Sequence, residues 1–188
     1  MIVVGIVGAL CSGKEAAKRI LMEKFTAYHV TLSDVIRAEL EKKKGLFNRV
    51  TLQDMGNEMR KKYGSEILAK LAISYLPRDK QMIIVDGIRN PGEIGYLKKN
   101  FGNKFVLLAV DAPQEVRWQR MQRRSKTTDL KSFEEFLDAE KRDLGEGEPV
   151  WGQQVKACME QADFTVMNDG SLEDLEIKVN EIFKGIEI

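Results

Sequence analysis

The first residues that could do chemistry lie between positions 8 and 15, in the stretch GALCSGKE. Gly8, Gly13 and Lys14 have the spacing G-x-x-x-x-G-K of a phosphate-binding loop. In such a loop, backbone N–H groups point at a triphosphate, and the helix that follows adds its positive end. We therefore predict that this segment binds ATP, with the Lys14 ammonium reaching the β- and γ-phosphates. The residues predicted to contact the nucleotide here are Gly8, Ala9, Leu10, Cys11, Ser12, Gly13, Lys14 and Glu15.

Glu15 departs from the usual pattern, which has Ser or Thr at this position to give a hydroxyl to Mg²⁺. A carboxylate is also a hard oxygen ligand, so in one interpretation Glu15 binds the metal directly or through water. In the other interpretation it only complements the positive end of the following helix. A carboxylate beside a triphosphate is repulsive unless a cation lies between them, which favours the metal interpretation. Cys11 is interpreted as a small filler of the loop rather than a redox centre.

Alternating strands and helices must position this loop. Apolar runs rich in Ile and Val predict strands, and a 3.6-residue periodicity predicts the helices between them. The predicted strands are residues 2–7, 28–32, 81–87, 104–111 and 163–168. Strands separated by helices indicate parallel βαβ units, so we expect an α/β fold with a doubly wound, five-stranded parallel sheet. Ligands bind at the carboxyl ends of the strands in such sheets, where the phosphate-binding loop falls.

The helices follow from the same periodicity and from local start signals. Ser33 or Asp34 is predicted to cap the second helix, and Pro91 to open a later one. The remaining predicted helices follow the loop to about residue 25 and cover residues 51–76 (broken near Gly64), 113–124, 133–143, 150–161 and 171–184.

Composition narrows the class of protein. The chain has 188 residues, 43% hydrophobic and 31% charged, which is typical of a globular protein and fits one domain over residues 1–188. The net charge of +1 gives no overall field that would favour nucleic acid or a membrane surface. No apolar run approaches the roughly 20 residues of a membrane helix. The two cysteines lie far apart in the sequence, so we expect a reducing, cytoplasmic location.

Several motifs together resemble a known group of enzymes. They are GALCSGKE, LSDVIRAEL, VDGIRNPGE, the arginine-rich run at 117–124, and ADFTVMNDGSLEDL. Over its whole length the chain resembles P-loop kinases of the nucleoside monophosphate kinase group. Within that group it is most similar to dephospho-CoA kinase-like proteins and to kinase-like domains of deoxynucleotide metabolism. The resemblance implies a helical acceptor-binding region at about 33–76 and a helical lid at about 117–149.

The resemblance implies that the segment around Asp34 and Arg37 contacts the phosphate acceptor. Arg37 would clamp a phosphate, and Asp34 would orient an acceptor hydroxyl or a metal-bound water. Alternatively, Asp34 is only a helix cap and Arg37 only a solvated residue. Arg60 is a further candidate for the acceptor pocket. Asp86, at the end of the third strand, would hold Mg²⁺ beside the loop, and Arg89 would face the acceptor phosphate.

A basic strip follows the fourth strand, with six basic residues against one acid over residues 117–131. Phosphoryl transfer needs cations on the transferred oxygens, and the related kinases place a lid here. We predict that Arg120 and Arg124, which share a helix face, serve this role with Arg142 from a second lid helix. The alternative is a solvated charged face. By resemblance, Asn168 and Gly170 cradle the adenine, although this turn also caps the last helix.

These observations predict a kinase that moves the γ-phosphate of ATP, with Mg²⁺, to a small nucleotide-like acceptor. The acceptor is a (deoxy)nucleoside monophosphate or dephospho-CoA, which the sequence does not separate. Two other readings stay open: a nucleotide-binding regulatory module without activity, and a simple NTPase. We expect no nucleic-acid or membrane partner, and the sequence does not determine an oligomeric state.

Overall fold

The structure is a computed structural model that describes residues 1–43, 48–74, 76–77, 79–124 and 130–184. Residues 125–129 of the predicted lid and residues 44–47 and 75 of the predicted acceptor region lie outside the described residues. The strands are β1 (Ile2–Val7), β2 (Tyr28–Thr31), β3 (Met82–Asp86), β4 (Phe105–Asp111) and β5 (Phe164–Met167). The helices are α1 (Lys14–Phe25), α2 (Leu32–Lys42), α3 (Arg49–Tyr63), α4 (Ile67–Ile73), α5 (Pro91–Phe101), α6 (Gln114–Arg124), α7 (Phe133–Leu144), α8 (Val155–Met159) and α9 (Leu172–Phe183), with a 3-10 turn at Gly102–Lys104.

The strands form one parallel sheet in the order β2-β3-β1-β4-β5. The central strand β1 pairs with β3 on one side and β4 on the other, so Val4 lies opposite both Ile84 and Val106. Connections from β1 and β3 run in opposite directions across the sheet, which leaves a crevice at the carboxyl end of β1. The predicted doubly wound, five-stranded parallel sheet is therefore confirmed.

Alternate residues of the strands face two separate apolar layers. Val4 and Ile6 of β1 pack with α1 and α9, whereas Val3 and Val7 pack with α2, α3, α4, α5 and α8. Because both faces of the sheet are covered, the strands are nearly continuous apolar runs, as in other parallel sheets. Helices α6 and α7 contact each other through the rings of Trp118, Phe133 and Phe136.

Two local predictions are corrected by the structure. Neither Ser33 nor Asp34 caps α2: the cap is Thr31, whose Oγ1 accepts a hydrogen bond from the Ser33 backbone N–H. The strand β2 ends at Thr31, so the helix begins two residues earlier than the polar pair suggested. The predicted helix over 150–161 is only Val155–Met159, because the segment before it is a loop whose carbonyls at Val150 and Gly152 accept hydrogen bonds from Asn90.

Other boundaries agree with the expectations. Gly64 separates α3 from α4, and its φ of 102° favours glycine. Pro91 is the first residue of α5, where its missing N–H leaves no hydrogen bond unmade. Within the described residues, no helix is long and apolar enough to cross a membrane.

Candidate functional site

The phosphate-binding loop joins β1 to α1, and its shape requires glycine at both ends. Gly13 has a φ of 105°, and a Cβ there would lie 2.0 Å from Asn168 Nδ2. A Cβ at Gly8 would lie 2.0 Å from the carbonyl oxygen of Val110. Both distances are far shorter than any real contact of a Cβ atom, so any larger residue would displace the loop from its neighbours.

Lys14 lies over the loop that it follows. Its Nζ donates hydrogen bonds to the carbonyl oxygens of Gly8 and Ala9, both at 2.7 Å. The Ser12 side chain is fully buried, and its hydroxyl makes no hydrogen bond within the described residues. Because a buried hydroxyl normally has a partner, this orphan group is consistent with a loop shaped to receive a ligand.

Asn168 and Arg120, which lie far from the loop in sequence, both donate hydrogen bonds to it. Asn168 Nδ2 donates to the Ser12 carbonyl oxygen at 2.8 Å, and Arg120 Nη1 donates to the same oxygen at 3.2 Å. Arg120 Nη2 also donates to Asn168 Oδ1 at 3.3 Å. The structure therefore brings together three predicted residues that are separated by more than 40 positions in sequence.

A cavity of about 850 Å³ opens above this loop, and we call it the loop cavity. Residues 10–16 of the loop line it, together with Asp86, Arg120, Asn168 and Gly170. The volume lies within the range typical of small-molecule sites. Most of the predicted nucleotide-contacting residues thus line one space.

Two carboxylates in this cavity converge on one cation. Lys18 Nζ lies 2.7 Å from Glu15 Oε2 and 3.6 Å from Asp86 Oδ2. The Lys18 ammonium thus lies near two carboxylate oxygens, which are the type of ligand that Mg²⁺ prefers. Within the described ranges there is no group of three or more His, Cys, Asp or Glu that could hold a metal. The other ligands would have to be water and phosphate, which is the usual coordination of Mg²⁺ beside a nucleotide.

The environment of Asp86 stabilises its charged form. His29 Nε2 lies 2.8 Å from Asp86 Oδ2. Burial raises the pKa of the Asp86 carboxyl, but hydrogen bonds from His29 and Thr31 and the charges of His29 and Lys18 outweigh it, so the pKa lies below its ordinary value. Asp86 is therefore a carboxylate at neutral pH, as metal binding requires. His29, the single histidine of the chain, thus contacts the candidate metal ligand.

A second cavity of about 340 Å³ adjoins the first, and we call it the side cavity. It lies between α2, α3, α6 and the segment before α8, and is lined by Arg60, Gln53 and Gln153 among others. Five residues line both cavities and form their shared boundary: Ser33, Arg37, Gly87, Arg89 and Arg124. The predicted acceptor residues Arg37, Arg60 and Arg89 thus lie on one cavity, and two of them also face the loop cavity.

Buried ion pairs hold the walls of the side cavity. Arg60 Nε donates to Glu93 Oε1 at 2.9 Å, and neither side chain is appreciably exposed. The other oxygen of Glu93 accepts the backbone N–H groups of Arg89 (2.8 Å) and Asn90 (3.1 Å). Arg89 Nη1 donates to Asp143 of α7 and to Gln153 Oε1 at 3.3 Å.

Two predicted catalytic residues line neither cavity. Asp34 is exposed on α2 and accepts a hydrogen bond from Arg37 Nη1 at 2.9 Å. Arg142 donates to Asp54 Oδ1 at 2.6 Å and to Glu148 Oε1 at 2.9 Å. Its side chain therefore ties α7 and the segment after it to α3, and Asn57 Nδ2 of α3 also donates to Glu148 Oε2.

Four functional-site residues were missed by the reasoning from sequence: Lys18, Glu93, Asp143 and Gln153. Lys18 carried a signal, since it lies one helical turn after Lys14. Glu93 had the spacing of a capping box with Asn90, which the structure contains. Nothing in the sequence indicated that its second oxygen would pair with Arg60.

A protein-family model described as AAA domain matches residues 7–136. A UPF0200/UPF0201 protein of Archaeoglobus fulgidus is 35% identical over an alignment that covers all of this chain and 58% of the relative. The chain thus spans less than two thirds of that relative's length. A UPF0200 protein of Methanocaldococcus jannaschii is 30% identical over 99% of this chain and 91% of the relative.

The fold is also similar to solved structures. The Thermus thermophilus protein TT1252 has a TM-score of 0.64 at 20% identity, covering 100% of this chain and 98% of that one. A shikimate kinase from Acinetobacter baumannii, solved with shikimate, has a TM-score of 0.55 at 16% identity, covering 100% and 96%. These likenesses show that the fold is that of P-loop kinases.

Proposed function

This chain belongs to the UPF0200 family, and from that premise we propose that it is an ATP-dependent phosphotransferase. It moves the γ-phosphate of ATP to a small nucleotide-like acceptor. One observation carries the proposal: the side cavity adjoins the loop cavity across a boundary that contains Arg37, Arg89 and Arg124. A phosphotransferase needs a second binding space in line with the phosphates, whereas an NTPase needs room only for water.

The loop cavity holds the donor in this proposal. Backbone N–H groups of residues 8–13 and the N-terminus of α1 bind the phosphates. The Lys14 ammonium leaves the carbonyl oxygens of Gly8 and Ala9 and reaches the β- and γ-phosphates. Arg120 and Asn168 fix the loop through the Ser12 carbonyl oxygen, so the donor is positioned before the acceptor binds.

The boundary arginines act on the transferred group. Charge spreads over the phosphoryl oxygens during transfer, and fixed guanidinium groups stabilise it without reorganisation. Arg37 is paired only with the exposed carboxylate of Asp34 and with Ser33 Oγ among the described contacts. Exposed pairs of this kind contribute little, so an incoming phosphate displaces Asp34 easily.

Glu15 and Asp86 would hold Mg²⁺, which when bound neutralises charge on the donor phosphates. In that state the Lys18 ammonium moves away from the two carboxylates. Three of the fold neighbours are named as shikimate kinases, which supports transfer to a small molecule as the activity. A nucleoside monophosphate and dephospho-CoA are both candidate acceptors for this space.

The test is an assay of ADP formation from ATP and Mg²⁺ with each common nucleoside monophosphate and with dephospho-CoA. We expect at least one acceptor to raise the rate about 10-fold or more above hydrolysis by water. Arg124→Ala should then raise the KM of that acceptor about 10-fold or more. The matched control is Arg123→Ala, on the same helix but exposed and outside both cavities. Rates that no acceptor changes would indicate a simple NTPase.

Glu15 supports a second candidate function, a nucleotide-binding regulatory module without activity. Its side chain is 82% exposed and replaces the hydroxyl that usually binds the metal. ATP binding without transfer to any acceptor would favour this module. The role of Glu15 has a separate test: if Glu15→Ala leaves the Mg²⁺ dependence of turnover unchanged, Glu15 does not bind the metal.

A further inference from the structure

The part of the side cavity away from the shared boundary contains a buried guanidinium with unused donors. Arg60 is 2% exposed, and its Nε and Nη2 lie 2.9 and 2.8 Å from the same oxygen, Glu93 Oε1. Nη1 has no hydrogen-bond partner among the described residues, whereas Nη2 is engaged in the ion pair with Glu93. Buried donors nearly always have acceptors in folded proteins, so a ligand that supplies an acceptor would complete this group.

A glycine keeps the space beside Arg60 open. Gly56 lies within α3, where glycine weakens a helix relative to alanine. A Cβ at Gly56 would lie 3.4 Å from Arg60 Nη1 and 3.1 Å from Ile36 Cδ1. Gly56, Ile36 and Arg60 all line the side cavity, so the wall beside the buried Nη1 carries no side chain at position 56.

A pair of buried glutamines adds a second donor to the same part of the cavity. Gln53 Nε2 donates to Gln153 Oε1 at 3.2 Å, and Arg89 Nη1 donates to that oxygen as well. Gln53 Oε1 accepts from Arg142 Nη1 at 3.5 Å. Both amide oxygens are therefore engaged by protein donors. The Gln153 amide nitrogen remains as the group that can donate to a ligand.

The part of the side cavity around Arg60 and the shared boundary differ in their charge. Glu93 already balances Arg60, so a second anion there would place two negative groups on one buried guanidinium. The shared boundary instead carries three guanidinium groups, from Arg37, Arg89 and Arg124. A ligand that fits both ends is anionic at the boundary and carries neutral hydrogen-bond acceptors at the far part.

We propose that Arg60 and Gln153 form a recognition site for carbonyl oxygens on the acceptor. The acceptor is then a small phosphorylated molecule whose head group carries ring carbonyls, as in a uridine- or thymidine-type monophosphate. An adenine-type head group presents an amino donor where this site also presents donors, and so fits poorly. This inference rests on the proposed phosphotransferase function.

The transfer balances for such an acceptor. An oxygen of the acceptor phosphate dianion forms a bond to the γ-phosphorus of ATP, while the bond from that phosphorus to the bridging oxygen breaks. The bridging oxygen leaves with the electron pair as part of ADP, and the acceptor becomes a diphosphate. No proton has to move, because the attacking oxygen is already deprotonated.

The first experiment compares probes for binding and for turnover. UMP carries two ring carbonyls and AMP none, while CMP and GMP carry one carbonyl and one amino group. We expect the Kd of UMP, measured by calorimetry, to be at least about 10-fold below that of AMP, with CMP and GMP between them. Tighter binding of AMP than of UMP, or turnover with dephospho-CoA alone, would overturn the inference but leave the phosphotransferase function intact.

The second experiment uses matched glycine variants. Gly56→Ala places a methyl group between Ile36 and Arg60, whereas Gly95→Ala in α5 places one where nothing lies within 4 Å. We expect Gly56→Ala to raise the Kd of UMP about 10-fold and to leave the Kd of ATP unchanged, and Gly95→Ala to change neither. Equal Kd values for UMP in the two variants would contradict the assignment.

A third variant tests the donor itself. Gln153→Glu replaces an amide nitrogen by an oxygen of nearly the same shape, and the exposed Gln161→Glu is its control. The Kd of UMP should rise about 10-fold for Gln153→Glu, while that of AMP should change less than about 3-fold. An equal rise in both Kd values would contradict the assignment of a carbonyl-recognition site. If UMP binds as expected but no probe is phosphorylated, the recognition site stands and the proposed phosphotransferase function fails.

Discussion

The loop cavity and the side cavity adjoin, but different interactions hold them in shape. Backbone groups and missing side chains shape the loop cavity, as the close neighbours of Gly8 and Gly13 show. Buried side-chain ion pairs shape the side cavity, above all Arg60 with Glu93. The first is centred on one short segment that Arg120 and Asn168 hold in place, and the second is built from ion pairs between distant parts of the chain. The two regions should therefore fail in different ways when they are changed.

Ion pairs also hold helix α7 to α6 and to the Arg89 wall of the side cavity. Arg117 of α6 pairs with Glu140 of α7, and Arg89 pairs with Asp143 one helical turn later. All of these groups except Arg89 are largely buried. A buried pair is expensive to break because the remaining charge has lost its water without keeping its partner. We therefore expect the fold to be more sensitive to changes at the side cavity than at the loop.

The largest expected effect is on stability, at the side cavity. Glu93→Ala would leave the Arg60 guanidinium buried without a counter-ion and remove the acceptor of two backbone N–H groups. We expect the free energy of unfolding, measured in urea, to fall by about 3–5 kcal/mol. The exposed Glu23→Ala is the control and should change it by no more than about 0.5 kcal/mol. A loss below about 1 kcal/mol for Glu93→Ala would contradict the comparison.

The next effect is on turnover, at the loop cavity. Lys14→Met removes the ammonium proposed to reach the transferred phosphate, and kcat for ADP formation should fall about 10²–10³-fold. The free energy of unfolding should fall by no more than about 2 kcal/mol, because only two hydrogen bonds to loop carbonyl oxygens are lost. Lys24→Met, in the last turn of the same helix, should retain full activity. A loss of stability as large as that expected for Glu93→Ala would mean that the two regions do not differ as described.

A smaller effect, on the affinity for ATP, is expected from the hydrogen bonds that Asn168 makes to the loop. Asn168→Ala removes the hydrogen bond to the Ser12 carbonyl oxygen and the one from Arg120. Each such bond contributes about 1 kcal/mol, so the Kd of ATP from calorimetry should rise about 5–30-fold. Asn100→Ala removes only a bond within its own exposed helix and serves as the control. An unchanged Kd would show that the loop keeps its shape without Asn168.

The smallest expected effect is a difference in the rate of thiol labelling, measured on the protein without any substitution. Cys11 lies partly exposed in the loop, whereas Cys158 is buried beneath the side cavity wall, and burial raises the pKa of its thiol above the usual range. Because the thiolate is the reactive form, native protein at pH 8 should be labelled at Cys11 alone, and ATP should slow that labelling. Peptide mass spectrometry locates the label, and both cysteines should react after unfolding. Rapid native labelling of Cys158 would contradict the burial.

Much of the fold followed from local pattern. Apolar runs predicted the strands to within one or two residues, because a parallel sheet covered on both faces needs continuous Ile and Val. The predicted helix over 150–161 was too long. Its first residues form a loop whose carbonyl oxygens at Val150 and Gly152 accept hydrogen bonds from Asn90. The cap of α2 was misplaced because its helix begins directly where β2 ends. Both errors arise where contacts distant in sequence, or an adjoining element, override local preference.

The sequence by itself determined the loop cavity. Gly8, Gly13 and Lys14 lie within seven residues, and the strand before them and the helix after them are local signals as well. Their spacing therefore already indicated a loop of the phosphate-binding type. The glycines, the lysine and the parallel direction of the strands could all be inferred before any distance was known, whereas the order of the strands came from the structure. The roles of these residues in catalysis stay predictions.

Only the tertiary structure decided the side cavity. Arg60 and Glu93 are 33 residues apart, Arg89 and Asp143 are 54 apart, and Gln53 and Gln153 are 100 apart. No periodicity in the sequence encodes such pairs, because their partners are chosen by how helices pack over the sheet edge. Packing also placed Asp34 and Arg142 outside both cavities, although their residue types suited the chemistry. Residue type and spacing identify a group that can act, while the packing of distant elements fixes what it faces.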